Sequence, residues 1–391
     1  MRVLMVISQF HPIIGGAEKQ AQLLGQALIE RGIDVDIVTG WWDMRTPRRE
    51  RVGGLMVFRN FSFWGMFGIR GVRALGGLAY MISLGAHLLF HGREYDLIHV
   101  HQVLYPAFVS VFMGKAILRK PVLVKYACSG ITSDMHELKK FPLGSLQLAY
   151  LLKAMDCVVT VSHEGVDEFK AVGYPEPRIV HIPNGVLAPS EGKSSYDRVH
   201  RVITTARLDK QKGIDVLLRA WAQVVQKQND VMLFVMGQGP AERELKRLTE
   251  QLGLGGSVRF PGVTHDIDSY LKDADLFVLP SRAEGLSNAM LEAMSYGIPC
   301  IATNISGNAE LLGTGGEGIP PGGFVAAKNG LAFNTDDAEG LSEAILYFMR
   351  NSKEREEMGR RGRAFVQDHY SIDRIADTYI ALYRRLLDGR S

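Results

Sequence analysis

Short apolar runs closed by glycine alternate along this chain with stretches whose apolar positions recur every three or four residues. The first run, Arg2 to Ile7, predicts a buried strand. A loop with Gly15 and Gly16 follows, and AEKQAQLLGQALIERG then has helical spacing. Gly32 is placed to end that helix in the left-handed conformation, and IDVDIVT predicts the next strand. Further strands are expected at 96–101, 121–127, 157–162 and 178–183, most of them separated by helical segments. That alternation predicts an α/β domain built on a parallel, doubly wound sheet.

At Pro183 the periodicity stops. NGVLAPSEGKSSYDR is polar and rich in Gly, Ser and Pro, which predicts a linker over 186–198. A second alternation then begins, with strands expected at 201–207, 231–237, 257–262, 275–281 and 299–303. Helices are expected near 213–228, 240–252 and 287–296. The chain therefore divides into a first domain, 1–185, and a second Rossmann-like domain, 199–370. Residues 313–330 read as a long Gly/Pro-rich surface loop, and an amphipathic helix over about 371–391 closes the chain.

Bulk properties narrow the function only at the margins. With 391 residues, two domains are the natural division, and 45 Lys and Arg against 42 Asp and Glu leave no excess suited to nucleic acid. The surplus lies in residues 1–190, with 20 basic against 15 acidic groups, which suits an anionic small ligand or an acidic membrane surface. Cys128, Cys157 and Cys300 are far apart, without metal-type spacing, as in a reducing compartment. The apolar run in MRVLMVISQF is too short for a signal-peptide core, so the expected location is cytoplasmic. Ala74 to Gly92 carries no formal charge and approaches transmembrane length. Its four glycines and two histidines predict a buried or interfacial helix instead.

Three features of the second domain carry chemistry. In TTARLDKQKGIDVLLRA, Arg207 ends a strand and Lys212 precedes a helix. Two cations at a helix start suit a diphosphate, although the pattern alone also fits a solvated basic turn. VMGQGP runs a strand into Gly237 and Gly239, which allow close backbone approach to a ligand or simply a tight turn. PSRAEGLSNAMLEAMSYGIPCIAT sets Glu284 in a loop and Glu292 eight residues on, inside a helix that Ser287 can cap. Carboxylates so placed can receive sugar and ribose hydroxyls, although Glu292 would also fit a surface helix position.

Taken together, ARLDKQKG, GQGP and EGLSNAMLEAMSYGIP resemble the donor domain of glycosyltransferase family 4, including its Glu-x7-Glu pattern. HPIIGGAEKQ is similar to the family's Gly-Gly loop and HIPNGV to its linker entry, so the likeness runs from about residue 1 to 385. The resemblance implies a GT-B fold, with two Rossmann-like domains facing across a cleft and the last helix crossing back to the first. It implies an acceptor domain at 1–185 and a nucleotide-sugar donor domain at 199–370. Retention of configuration, no metal and no cofactor beyond the donor substrate are also implied.

Carried over by position, Arg207, Lys212 and Glu284 are the expected catalytic residues. Gly15, Gly16, Gly237, Gly239, Gly285, Leu286, Ser287 and Glu292 are the expected donor contacts. Many relatives place a His-Gly pair after the strand at 121–127, where this chain has Ala127, Cys128, Ser129 and Gly130. His101, Cys128 and Ser129 are the acceptor-side candidates for that role. The expected partners are a UDP-sugar and a polysaccharide, lipopolysaccharide or lipid-linked glycan. A nucleotide-sugar epimerase or a non-catalytic scaffold would share the architecture. Asp34-Val35-Asp36, Asp266-Ile267-Asp268 and Asp273-Ala274-Asp275 match a metal-binding Asp-x-Asp, but three matches in one chain show how cheap the pattern is. His99 and His101 share a strand face without a third ligand. The basic run at Arg45, Arg48, Arg49 and Arg51 reads as a solvated loop. With Phe58, Phe61, Phe63, Trp64, Phe67 and the uncharged stretch after Arg73, it reads instead as part of an acceptor-facing segment, 45–92, that touches the cytoplasmic membrane surface peripherally.

Overall fold

The computed structural model describes residues 1–13, 15–62, 70–130, 133–264, 266–315 and 318–389, the side chains of 70–74 excepted. Two compact units result: 1–185 together with 372–391, and 186–371.

The first unit is built on an eight-stranded sheet. Its strands are β1 (Arg2–Val6), β2 (Asp34–Gly40), β3 (Arg49–Val52), β4 (Leu55–Asn60), β5 (Leu97–His101), β6 (Val122–Tyr126), β7 (Cys157–Thr160) and β8 (Ile179–His181). They lie in the order β3-β4-β2-β1-β5-β6-β7-β8. All pairs are parallel except β3 with β4. Helix Gly16–Glu30 ends as expected: Gly32 has φ +77°, and Ile33 N–H returns to the Leu28 carbonyl. One face of the sheet is covered by helices Arg70–His91, Tyr105–Phe112 and Gly144–Ala154, the other by Gly16–Glu30 and the terminal helix Ile372–Asp388. Ile375, Tyr379, Ile380 and Tyr383 of that last helix are buried. At about 1.5–3 kcal/mol for each large apolar side chain, they fix it to the first unit.

One reading of this unit needs correction. The basic run 45–51 is only partly a loop, because Arg49–Val52 forms the edge strand of a hairpin turned at Gly53 and Gly54. RERV alternates charge with charge, so it lacks the apolar alternation that marks a strand; an edge position tolerates this. Phe63, Trp64 and Phe67 lie outside the described residues.

In the second unit the sheet runs β11-β10-β9-β12-β13-β15-β14. The strands are β9 (Arg201–Thr205), β10 (Met232–Met236), β11 (Val258–Gly262), β12 (Leu276–Leu279), β13 (Cys300–Thr303), β14 (Phe324–Ala326) and β15 (Gly330–Phe333). Only β14 with β15 is antiparallel. Residues 313–330 are therefore not loop throughout, since their end forms a hairpin. Nor do residues 186–198 hang free. They lie along the second unit, where Arg363 binds the Pro189 carbonyl at 2.8 Å and Tyr196 Oη the Gly297 carbonyl at 2.8 Å. Lys193 Nζ reaches Asp275 Oδ1 and the Ala274 carbonyl, both at 2.8 Å. These contacts come from residues far along the chain, which local polarity does not reveal.

Candidate functional site

Strands β10, β9, β12 and β13 are neighbours and parallel, so the loops after them share one edge of the sheet. Ligands of open α/β sheets bind at such edges. The loop after β9 closes a single turn at Lys210–Lys212 and starts helix Ile214–Lys227 at Gly213, which has φ +62°. A Cβ on Gly213 would lie 2.0 Å from the Pro280 carbonyl oxygen, so only glycine lets this turn press against the end of β12. Arg282 N–H donates to the Gln211 carbonyl at 2.7 Å, and Gln211 Nε2 to the Ala283 carbonyl at 3.0 Å. The two loops are clasped from both sides.

That clasp sets Lys212 Nζ 2.7 Å from Glu284 Oε1, which also accepts from Ser281 Oγ at 2.7 Å. Behind it, Thr303 Oγ1 donates to the Ser281 carbonyl at 2.6 Å and buried Asn308 to Thr303 at 3.1 Å. Arg207 is turned outward, 73% exposed, and held by Asp209 at 2.7 Å. Arg282 grips Asp215 with two bonds of 3.0 and 2.8 Å and reaches Asp336 at 2.8 Å. Burial pushes the Asp215 carboxyl up, but the bond to Arg282 outweighs it and the group stays below its ordinary range.

Gly285, Leu286 and Ser287 are buried. Ser287 caps helix Asn288–Ser295 through Met290 N–H at 3.3 Å, as expected. This loop can sit so low because Gly307 opposes it, where a Cβ would fall 1.8 Å from the Gly285 carbonyl oxygen. Glu292 is half-buried on the same helix, between buried Leu291 and Ala293.

Gly237 and Gly239 pack against the loop that follows β9. Added Cβ atoms would meet the Ala206 and Leu208 carbonyl oxygens at 1.9 and 2.2 Å. The two loops are zipped by Ala206 N–H to Met236 O, Leu208 N–H to Gln238 O and Ala241 N–H to Leu208 O. These glycines therefore hold the Arg207 loop against its neighbour, and the side a Cβ would occupy faces protein. A depression of about 620 Å³ lies beside the same turn, lined by Lys210, Asp215, Arg219, Arg247 and Arg282 among others, but not by Lys212 or Glu284.

In the first unit, Gly15 is extended at φ −140° and precedes the helix with no side-chain cap, while Gly16 is exposed. A Cβ at Gly15 would meet only the movable carboxylate of Glu18, at 2.4 Å. Burial pushes that carboxyl up. His101 is 2% exposed, its ring stacked on His99 at 4.4 Å, and His99 Nδ1 lies 2.7 Å from Tyr383 Oη. His101 is therefore a core group beneath the terminal helix and not an acceptor-side surface. Burial drives both imidazoles well below the ordinary histidine range, and pushes the neighbouring Lys125 down to about 7. Ser129 is also engaged, with Glu164 at 2.8 Å and Ser162 at 3.2 Å, and the half-buried Cys128 directs its Sγ to the Ser129 carbonyl at 3.8 Å.

One residue of this region has no sequence signal at all. Asp134 Oδ2 accepts from Val103 N–H and Ala127 N–H, both at 3.1 Å, and so ties the loops after β5 and β6 together. Burial raises its carboxyl to about 6. One aspartate of each Asp-x-Asp is engaged within the protein. Asp36 accepts from Arg2 and Tyr95, Asp268 from Tyr296, and Asp275 from Lys193 and the amides of His200 and Arg201.

Two Rossmann-like units, with the last helix of the chain returned to the first, are the build of the GT-B glycosyltransferases. The chain matches sucrose-phosphate synthase from Thermosynechococcus elongatus over 100% of both chains, with TM-score 0.79 and 22% identity. It matches Anabaena HepE in complex with UDP-glucose over 98% of this chain and 100% of that one, with TM-score 0.76 and 19% identity. Residues 15–185 match the glycosyl transferase 4-like domain family and 191–365 the glycosyl transferases group 1 family. The chain belongs to the family 4 glycosyltransferases. A glycosyltransferase of Methanocaldococcus jannaschii is 26% identical over 98% of both chains. N-acetyl-alpha-D-glucosaminyl L-malate synthase of Bacillus anthracis is 22% identical over 96% of both.

Proposed function

We propose that this glycosyltransferase moves a hexosyl group from a UDP-sugar to a hydroxyl of a polysaccharide, lipopolysaccharide or lipid-linked glycan, with retention and without a metal. The observation that carries the reading is the Lys212–Glu284 pair beside Ser281, set at the start of helix Ile214–Lys227. Arg207 and Lys212 would take the donor diphosphate, exchanging neighbouring carboxylates for phosphate oxygens. Glu284 and the amides of 285–287 would receive the sugar, and Glu292 the ribose diol.

In the reaction the bond from the sugar's anomeric carbon to the diphosphate breaks as one to the acceptor oxygen forms on the same face. The acceptor proton leaves with the diphosphate oxygen. Charge gathers on the leaving group, where two fixed cations lower the barrier. Relatives support the acceptor class. A lipopolysaccharide core glycosyltransferase of Rhizobium meliloti is 29% identical over 46% of this chain. A GDP-mannose-dependent mannosyltransferase acting on a phosphatidylinositol monomannoside, from Corynebacterium glutamicum, is 30% identical over 56% of it.

Nucleotide sugars screened by thermal shift identify the donor, because a ligand of the native state raises the melting temperature. Proton NMR of the product then reads its anomeric configuration. Inversion, or conversion of the donor to an epimer without acceptor, would overturn the proposal.

A further inference from the structure

Helix Arg70–His91 presents Leu75, Leu78, Ile82, Leu89 and Phe90 to solvent, with Ile82 67% and Phe90 76% exposed. Residues 75, 78, 82 and 89 recur at three, four and seven, so they form one stripe along the outer face. The opposite face carries Tyr80, Leu84 and Leu88, all fully buried in the core against the sheet. The stripe continues across the layer. The outer side of the next helix has Phe108 and exposed Phe112, whose rings meet Tyr150 of helix Gly144–Ala154 at 5.5 and 6.2 Å. Leu146, one turn before Tyr150, is 67% exposed.

Such a broad apolar face on three adjacent helices needs an occupant, and charge names its kind. Helices Tyr105–Phe112 and Gly144–Ala154 contain no Asp or Glu, and neither does Arg70–His91. Over 70–154 there are ten Lys and Arg and four Asp and Glu, against near balance in the whole chain. Arg93, Lys139, Lys140 and Lys153 are exposed at helix ends, with Glu137 paired to Lys140. Lys115 is paired to Asp156. On the far side the basic hairpin borders the stripe: Arg49 lies over Phe58 at 5.2 Å, and Phe58 meets His87 of the helix at 5.3 Å.

We infer that this three-helix face docks the first unit on an anionic lipid bilayer, lying in the interface rather than crossing it. Leu75–Glu94 is the described stretch long and apolar enough to span a membrane. Crossing would pull Tyr80, Leu84 and Leu88 out of the core, whereas lying flat inserts only side chains already exposed. Apolar insertion and attraction of basic groups to acidic headgroups act together in this geometry. The face takes in the uncharged helix of the contact expected over 45–92 and adds the two neighbouring helices, while the basic run 45–51 contributes a border. The inference does not depend on the donor assignment.

Sedimentation with phosphatidylcholine vesicles, with and without phosphatidylglycerol, tests it. The protein should pellet with the anionic vesicles, less so at raised salt. Replacing Lys139, Lys140 and Lys153 by Gln should weaken binding about fivefold for each charge. The variant Ile82→Gln, Phe90→Gln, Leu146→Gln should lose at least about tenfold, with an unchanged melting temperature because all three sites are exposed. In the wild-type protein, hydrogen exchange over 75–91 should slow on vesicle binding. Failure to pellet with anionic vesicles overturns the inference, as does equal pelleting of the apolar variant. So does a dimer of the wild-type protein that the apolar variant dissociates in the absence of any vesicle binding, which would make the face a self-contact.

Discussion

Lys212 Nζ and Glu284 Oε1, 72 residues apart, meet at 2.7 Å. The pair exists because Gly213 lets its turn touch Pro280 and because Gln211 and Arg282 bridge the two loops. Each charge is thus held where a phosphate or a sugar hydroxyl could replace its partner.

Lys212→Ala should lower kcat/KM about tenfold to about a hundredfold, the loss of one charged hydrogen bond at roughly 1.5–3 kcal/mol. Glu284 keeps Ser281 as a donor, so the melting temperature should scarcely move. Steady-state kinetics on the soluble variant check this. Near-normal turnover would remove the diphosphate role from Lys212.

Gly237→Ala should destabilise the second unit by about 3 kcal/mol or more, since φ +120° and a carbonyl at 1.9 Å act together. Gly32→Ala is the control. It has φ +77° with nothing within 4 Å, and should cost only about 1 kcal/mol. Urea unfolding of both variants measures the contrast. Equal costs would mean that the Ala206 contact yields easily.

Asp134 gives a pH signature of definite sign. Its folded carboxyl is raised to about 6, so below that value the native state holds a proton that the unfolded chain, near the usual carboxylate range, releases. Its contribution is therefore favourable in acid and is lost as pH rises from about 4 to about 6, by up to about 3 kcal/mol. Both amide bonds end on one oxygen, a role that the carboxamide oxygen of the Asp134→Asn variant could take over. That variant should thus equal or exceed wild type in stability above about pH 7 and fall behind at low pH. A difference curve that rises the opposite way would show that the carboxylate form is the one the fold favours.

Transfer should persist in excess EDTA, because Arg207 and Lys212 can supply the charge that a leaving diphosphate needs. Loss of activity restored by magnesium or manganese would return attention to the aspartates.

Periodicity revealed most of the strands and the helix that returns to the first unit, because buried parallel strands and amphipathic helices leave their mark locally. Lys212 and Glu284, which meet at 2.7 Å, were marked by their motifs and the family resemblance those carry, not by periodicity. Edge elements stayed hidden, since β3 and β14 bury too little to show an apolar pattern. So did residues that act across the chain. Ser281 reads as any loop serine and Asp134 as any helix-start aspartate, until folding brings Glu284 to one and the Val103 and Ala127 amides to the other. Gly237 and Gly239 were legible as special, but their packing against the Ala206 and Leu208 carbonyls was not, because that contact exists only once the two loops meet.

The terminal helix has a bearing on biosynthesis. Residues 186–371 form a continuous unit that has all its strands once they leave the ribosome. The first unit, although translated earlier, lacks Ile375, Tyr379 and Tyr383 of its core until helix Ile372–Asp388 is made. Its nascent sheet must wait with one face partly uncovered while the later unit folds. A stop codon placed just before residue 372 would therefore damage the part of the chain made first and spare the unit made after it.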